Sequence, residues 1–213
     1  MRIRILFSKT EAMRYTSHLD LYKTLERTAR RANLPLAYTQ GFRTHPRISL
    51  ASALPLGFTS DGEVVDIWLD GELSLEIIER RISDASPPGI LIKQIESILP
   101  NLPSLQSSLK AAEYLIITLE YIQDLDVQIY RIMNTATLPR TRRGKGYNLR
   151  PLIYKIEQLT TDPESSQNIL IQLAALDGAT GRPEEVIMEL GGNPNTCRVH
   201  RTRLIFEGNG LNN

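Results

Sequence analysis

Three clusters of cations, set among glycines, prolines and aromatics, carry the clearest chemical potential in this chain. The stretch GFRTHPRIS, residues 41–49, holds Arg43, His45 and Arg47. Gly41 permits a tight bend and Pro46 keeps the preceding residue extended, so the cations stand on a stiff backbone that could clamp a phosphate. The plainer alternative is a crossover between strands with the same side chains merely exposed. PRTRRGKGYNLRP, residues 139–151, holds Arg140, Arg142, Arg143, Lys145 and Arg150 with no acid among them. Its two glycines would let backbone N–H groups approach an anion, and Tyr147 could stack on a base. The G-x-x-x-x-G-K-[ST] spacing of a nucleotide-binding P-loop is missing. Lys23, Arg27, Arg30 and Arg31 fall at i, i+4, i+7 and i+8 and so line one face of a helix.

Histidine offers a different chemistry, because imidazole titrates near neutrality. His18, His45 and His200 are the three present. With neighbouring Arg, Tyr and Ser they could support metal-independent cleavage of RNA through its 2′-hydroxyl, with His18 or His45 as the candidate catalytic group. His18, beside Ser17 and Asp20, reads first as a helix-start residue. His200 belongs to a strand among Arg198, Arg201 and Arg203. No H-x-x-x-H occurs, and the single cysteine, Cys197, excludes a disulfide framework and a multi-cysteine metal site within this chain, so no metal or cofactor is expected. The many carboxylates of residues 61–84 show no metal-ligand spacing and read as a solvated face.

Net charge is only +1 over 213 residues, yet its distribution is uneven. Residues 1–50 carry ten Lys/Arg against three acids, and 51–100 carry three against nine. Residues 137–155 hold six cations and no acid, while 156–197 hold one cation against seven acids. Such blocks focus positive potential on one face and point to an anionic partner. With 41% hydrophobic and 23% charged residues the composition is that of a globular protein, with no membrane-length apolar run. The N-terminus reaches charge too early for a signal peptide, so the cytoplasm is the expected location.

The elements that must position these residues alternate. MRIRILFSK has period two, a strand with one buried face. Ser17 caps a helix that runs to about Asn33, where Leu34-Pro35 would stop it. A short strand LAYTQ, the 41–49 stretch and ISLAS follow, then EVVDIWLDG (strand), SLEIIERRIS (helix) and ILIKQIESI (strand). The order β-α-β-β-α-β is ferredoxin-like. PNLPSLQSSLK, 100–110, reads as a linker. A second unit of similar order begins with AEYLIITLEY and DVQIYRIMNT, passes the basic segment as a hairpin or loop, and ends with NILIQLAALDG, RPEEVIMELGG and RVHRTRLIFE. LRPLIYKIEQL fits strand or helix. The expected fold is therefore α+β, two tandem ferredoxin-like units over 1–99 and 111–207, with a tail at 208–213.

Residues 14–66 resemble a bacterial radical-SAM-associated domain family of unknown function, found fused behind a radical SAM protein or free-standing. The likeness rests on R-Y-x-S-H-L-D-L, R-R-A-x-L-P-L-A-Y, G-F-x-x-x-P-R-I-S and P-L-G, and continues more loosely through TRRGKGYNLRP and VHRTRLIF. Thr44-His45 departs from it. The resemblance implies a cytoplasmic protein that works with a radical SAM enzyme in trans, in RNA metabolism. The chain lacks C-x-x-x-C-x-x-C, so it is not itself that enzyme. More distantly, G-F-x-x-x-P-R-I-S and P-L-G are similar to ferredoxin-like endoribonucleases that process CRISPR repeat RNA.

The expectation is an RNA-binding accessory protein for structured RNA (tRNA or rRNA), not DNA, and without catalysis of its own. Its contact residues would be Arg14, Tyr15, Lys23, Arg27, Arg30, Arg31, Arg43, His45, Arg47, Arg140, Arg142, Arg143, Lys145, Tyr147, Arg150 and His200, with Arg142 and Arg143 foremost. The alternatives are the endoribonuclease and a protein-interaction module that docks through 61–84.

Overall fold

The computed structural model describes residues 1–159 and 166–208, and its chain divides into two compact units. The first is Met1–Leu109, rejoined by the chain from Phe206; the second is Lys110–Ile205. The fold is mixed α+β, with five α-helices among the described residues and antiparallel pairing throughout the registers given below. None of these helices is long and apolar enough to cross a membrane.

In the first unit β1 (Arg2–Lys9), α1 (His18–Arg31), β2 (Ile48–Leu50), β3 (Thr59–Trp68), α2 (Leu75–Ala85) and β4 (Ile90–Ile98) succeed one another. β1 lies between β3 and β4, and β2 pairs with β3. Ile3, Ile5 and Phe7 of β1 pack against Leu21, Leu25 and Ala29 of α1 and Ile78 and Ile82 of α2, all buried. Each large side chain of that set stabilises by about 1.5–3 kcal/mol. The Ser17 hydroxyl accepts from the Asp20 N–H and starts α1. Its end differs from the expected proline stop. Asn33 adopts φ 50°, while the Leu34 and Asn33 amides donate back to the Ala29 and Arg30 carbonyls, a left-handed cap that closes the helix before Pro35 acts.

Two expectations need correction in this unit. LAYTQ forms no strand: Leu36 and Tyr38 make isolated bridges to Leu69 and Pro46, because Pro35 and Pro46 remove ladder donors. β1 is not buried on alternate residues only: Arg2, Ser8 and Lys9 are buried along with its apolar residues, and Arg4 and Leu6 are half-buried. The 100–110 segment, read as a linker, has structure of its own. It carries α3 (Leu105–Ser108), capped by Ser104, with Leu105 buried. The Arg2 guanidinium holds the Leu102 and Pro103 carbonyls at 2.7 and 3.1 Å.

Asp66 is the electrostatic centre of the unit. Fully buried on β3, it accepts from Arg2 Nη2 at 2.5 Å and from Arg4 Nε at 2.8 Å. Cross-strand register dictates this, since Arg4 lies opposite Asp66 and Arg2 opposite Trp68.

The second unit runs β5 (Leu109–Thr118), α4 (Leu125–Asn134), the hairpin β6 (Pro139–Arg142) and β7 (Lys145–Asn148), then β8 (Ile153–Gln158), β9 (Asn168–Leu176), β10 (Ala179–Thr180), α5 (Pro183–Glu189) and β11 (Cys197–Phe206). β5 lies between β9 and β11, and β8 and β10 both pair with β9. The ambiguous LRPLIYKIEQL is a strand after one 3-10 turn at Arg150–Leu152, with Ile153 and Ile156 buried. Of the expected tail, residues 209–213 lie outside the described residues.

Removing the shared acceptor strands two cations in a poorly hydrated place. Asp66→Ala is expected to cost about 3–5 kcal/mol. Asp70→Ala, at an exposed turn, should cost under about 0.5 kcal/mol. Urea unfolding of both variants measures the difference, and equal midpoints would contradict the role given to Asp66.

Candidate nucleic-acid interface

The 38–47 segment is a projecting loop with a fixed neck. Tyr38 bridges Pro46, the Thr39 N–H donates to the His45 carbonyl at 2.8 Å, and the His45 N–H donates to Thr39 Oγ1 at 3.0 Å. Below the neck, the Arg47 N–H donates to the Ala37 carbonyl and the Trp68 N–H to the Arg47 carbonyl. Pro46 is buried, and Gly41, at φ 127°, makes a bend that other residues rarely adopt. Phe42, Arg43, Thr44 and His45 are left in solvent, with Phe42 at 107% relative exposure.

Helix α1 lies against this loop. The Tyr22 hydroxyl donates to the Pro46 carbonyl at 3.4 Å, and Arg30 donates to the Tyr38 hydroxyl at 2.8 Å with its guanidinium 5.7 Å from that ring. Two of the three basic clusters therefore adjoin within one unit. Lys23 and Arg27 are exposed on the outer face of α1, with Lys23 4.0 Å from Asp20. Arg30 also pairs with Glu26 at 2.9 Å. Arg31 leaves the group: it turns to the other flank and caps the Ala85 carbonyl of α2 at 2.6 Å. Arg47 stacks on Trp68 at 4.8 Å from the ring centre, and Arg2 stands 4.9 Å from the same ring.

A second convergence was not visible in the sequence. Buried Lys9 donates to the Arg14 carbonyl at 3.2 Å and the Phe58 carbonyl at 2.9 Å. Arg14 Nε in turn donates to the Gly57 carbonyl, and the Gly57 N–H donates to the Arg14 carbonyl. The motif pieces around Arg14-Tyr15 and Pro55-Leu56-Gly57 are thus one structural corner. The Arg14 guanidinium is committed to it and to Glu11. Tyr15 stays 79% exposed, while His18 is half-buried as the first residue of α1.

In the second unit the basic segment is a two-residue hairpin. Arg143 and Gly144 both have positive φ, 51° and 76°, which is the type I′ pattern that suits the strand twist. Register puts Arg140 opposite Tyr147 and Arg142 opposite Lys145. The expectation that no acid neutralises these cations is corrected here. Arg142 pairs with Glu185 at 2.7 Å, donates to the Tyr147 hydroxyl and the Thr180 carbonyl, and lies 4.8 Å over the Tyr147 ring. Arg140 pairs with Glu189, and Arg150 donates to the Met133 and Ile153 carbonyls. Acids of α5, distant in sequence, do the neutralising, and Tyr147 has one face already covered. Arg143 and Lys145 are exposed and make no ion pair among the described residues. A recess of about 360 Å³ lies beside Lys145 and Tyr147.

His200 is half-buried on β11, next to Arg201, which is buried beneath the Tyr114 ring at 5.4 Å. Cys197 is half-buried. Burial first, and then the Glu120 charge, push its thiol up to about 11, so it is a poor nucleophile at neutral pH. Sequence reasoning missed Phe42, Lys9 and Tyr38. Phe42 had a signal, an aromatic between glycine and arginine with no apolar period around it. The burial of Lys9 had none.

Residues 2–183 match the model of a family of uncharacterised proteins conserved in bacteria, DUF2344. The chain belongs to that family. Among solved structures, it is similar to a chain of a Cbf5-Nop10-Gar1 complex, with TM-score 0.52 and 11% identity over 95% of this chain and 48% of the other. A chain of the archaeal box H/ACA sRNP Nop10-Cbf5 complex gives TM-score 0.46 and 12% identity, over 99% and 49%. One in an H/ACA RNP bound to a substrate RNA containing 2′-deoxyuridine gives 0.45 and 11%, over 91% and 45%. This family member spans about half the length of each of those chains, and the first likeness speaks to fold alone. No curated protein matches the chain.

The hairpin's anchoring has a titration signature. The Tyr147 phenol lies above its ordinary value, through burial first and the bond and charge of Glu185 second. A raised folded value means that this contribution to stability is present below the ordinary phenol range and is lost as pH rises through the folded value. Glu185→Gln should lower the Tyr147 titration toward 10, read by ultraviolet difference against Tyr147→Phe. An unchanged titration would contradict the Glu185 contact.

Proposed function

We propose that this protein is an RNA-binding accessory factor, with its main contact surface on the first unit. The observation that carries the reading is the tie between α1 and the 38–47 loop through Tyr22 and Arg30. It ties the helix that carries Lys23, Arg27 and Arg30 to the loop that carries Phe42, Arg43, His45 and Arg47, with Tyr38 at the join. Cations that neutralise phosphates supply affinity, and aromatic rings supply contact with bases. Between Glu26 and Asp61 the chain has no carboxylate side chain, so nothing local within that span offsets the field. Tyr15 extends the aromatic set, and Arg143 and Lys145 at the hairpin turn are secondary contacts.

The RNA is read as structured RNA, tRNA or rRNA, and the partner as a radical SAM enzyme in trans in the cytoplasm. Support for that partner is the resemblance of residues 14–66. The architecture is read as two ferredoxin-like units, supported by the β-α-β-β-α-β order of the first, which the second follows once the β6–β7 hairpin and the short β10 are set aside, and by β1 lying between β3 and β4 and β5 between β9 and β11. The boundary between the units is read near residues 100–110.

The test is binding of bulk tRNA and rRNA fragments across a salt series. Wild type should bind with steep salt dependence. Lys23→Glu/Arg27→Glu should lose about tenfold or more in affinity and flatten the salt slope, whereas Arg140→Ala should act mainly on stability. Absence of wild-type binding at low salt would refute the proposal.

A further inference from the structure

We propose that the loop over residues 39–45 is a stacking finger: the Phe42 ring takes the face of an unpaired base. The RNA element recognised is then a loop, bulge or single-stranded end rather than continuous duplex. This rests on the RNA-binding reading and names the substrate class for that surface.

Phe42 is fully solvated, and it forgoes the stabilisation that burying such a ring would bring. A lone exposed apolar side chain is ordinary. This one differs in its mounting. It stands at the tip of a loop whose neck is closed by the Thr39–His45 bonds and the Tyr38–Pro46 bridge, and whose base hangs on Trp68 through Arg47. The ring is thereby presented rather than left to collapse onto the core. Its nearest chain neighbours with charge or titratable groups, Arg43 and His45, are exposed and make no ion pair among the described residues.

An apolar ring with the Arg43 cation next to it in the chain fits a base with its phosphate. It suits an apolar protein groove less well, since such a groove would have to desolvate that cation. Phenylalanine has no donor or acceptor, so it reads the face of a base and not its edge, and tolerates any of the four. An A-form duplex hides base faces within its stack, which is why the substrate must offer an unpaired one. Tyr38 at the neck has a different part, since one face and its hydroxyl are engaged by Arg30.

The experiment titrates the full chain with a labelled single-stranded RNA and a perfect duplex of equal length, at low salt, for wild type, Phe42→Ala and Phe42→Trp. Wild type should favour the single strand by roughly tenfold, Phe42→Ala should lose that preference with its salt slope intact, and Phe42→Trp should keep it. Because Phe42 supports no packing, Phe42→Ala should melt like wild type. If wild type binds both RNAs with salt sensitivity and Phe42→Ala keeps the same preference, the finger is refuted while RNA binding stands. If wild type binds neither RNA, both readings fall and the exposed ring belongs to a protein contact.

Discussion

The buried carboxylate of Asp66 is the interaction on which the rest of the first unit hangs. It holds Arg2 and Arg4 on the neighbouring strand, and with Arg2 so fixed the 100–104 segment finds donors for its carbonyls. Arg2 also stands on one side of Trp68, and Arg47 stacks on the same indole. Arg47 is in turn the residue from which the projecting loop is suspended, through its bonds to Ala37 and Trp68. A charge buried at the centre of the sheet is thus linked, by four contacts, to the placement of an exposed loop. Ion pairs of this kind add little net stability against an apolar replacement, but breaking one is expensive, so they specify geometry.

Charge counted along a sequence is not charge presented to a partner. The basic segment at 139–151 is denser in cations than the 41–49 stretch, yet three of its five are consumed by Glu185, Glu189 and backbone carbonyls. Helix α5 supplies those acids from more than thirty residues downstream, beyond what any local window detects. Around α1 and the loop, by contrast, the nearest acids in sequence are Asp20, 4.0 Å from Lys23, and Glu26, which occupies Arg30, and Arg27 and Arg43 make no ion pair among the described residues. The balance of free cations therefore favours the first unit, the reverse of the order expected from sequence.

What was legible in the sequence was whatever local periodicity or capping determines. Period two gave β1, the Ser17 cap and the spacing of Leu21, Leu25 and Ala29 gave α1, and Pro183 with its glycine stop gave α5. What was not legible depends on pairing between distant segments. β1 reads as half-buried although Arg2 and Arg4 close over Asp66 of β3, and Leu34-Pro35 looks like the stop of α1 although Asn33 closes it first. Of the candidate site, the members of the α1 face and of the loop were readable, but their adjacency was not, because it is made by Tyr22 and Arg30 reaching over Pro46 and Tyr38. The partner of Lys9 is of the same kind: two carbonyls that only the folded chain brings together.

Family membership in DUF2344 assigns no chemistry, so the proposed RNA contact on the first unit is what has to be measured. Backbone hydrogen exchange with and without a tRNA or rRNA fragment at low salt measures that directly. RNA binding as proposed would bring new protection over residues 38–47 and across α1, with smaller changes over 139–148. Protection confined to the 139–148 hairpin, or none anywhere under conditions where complex forms, would contradict it.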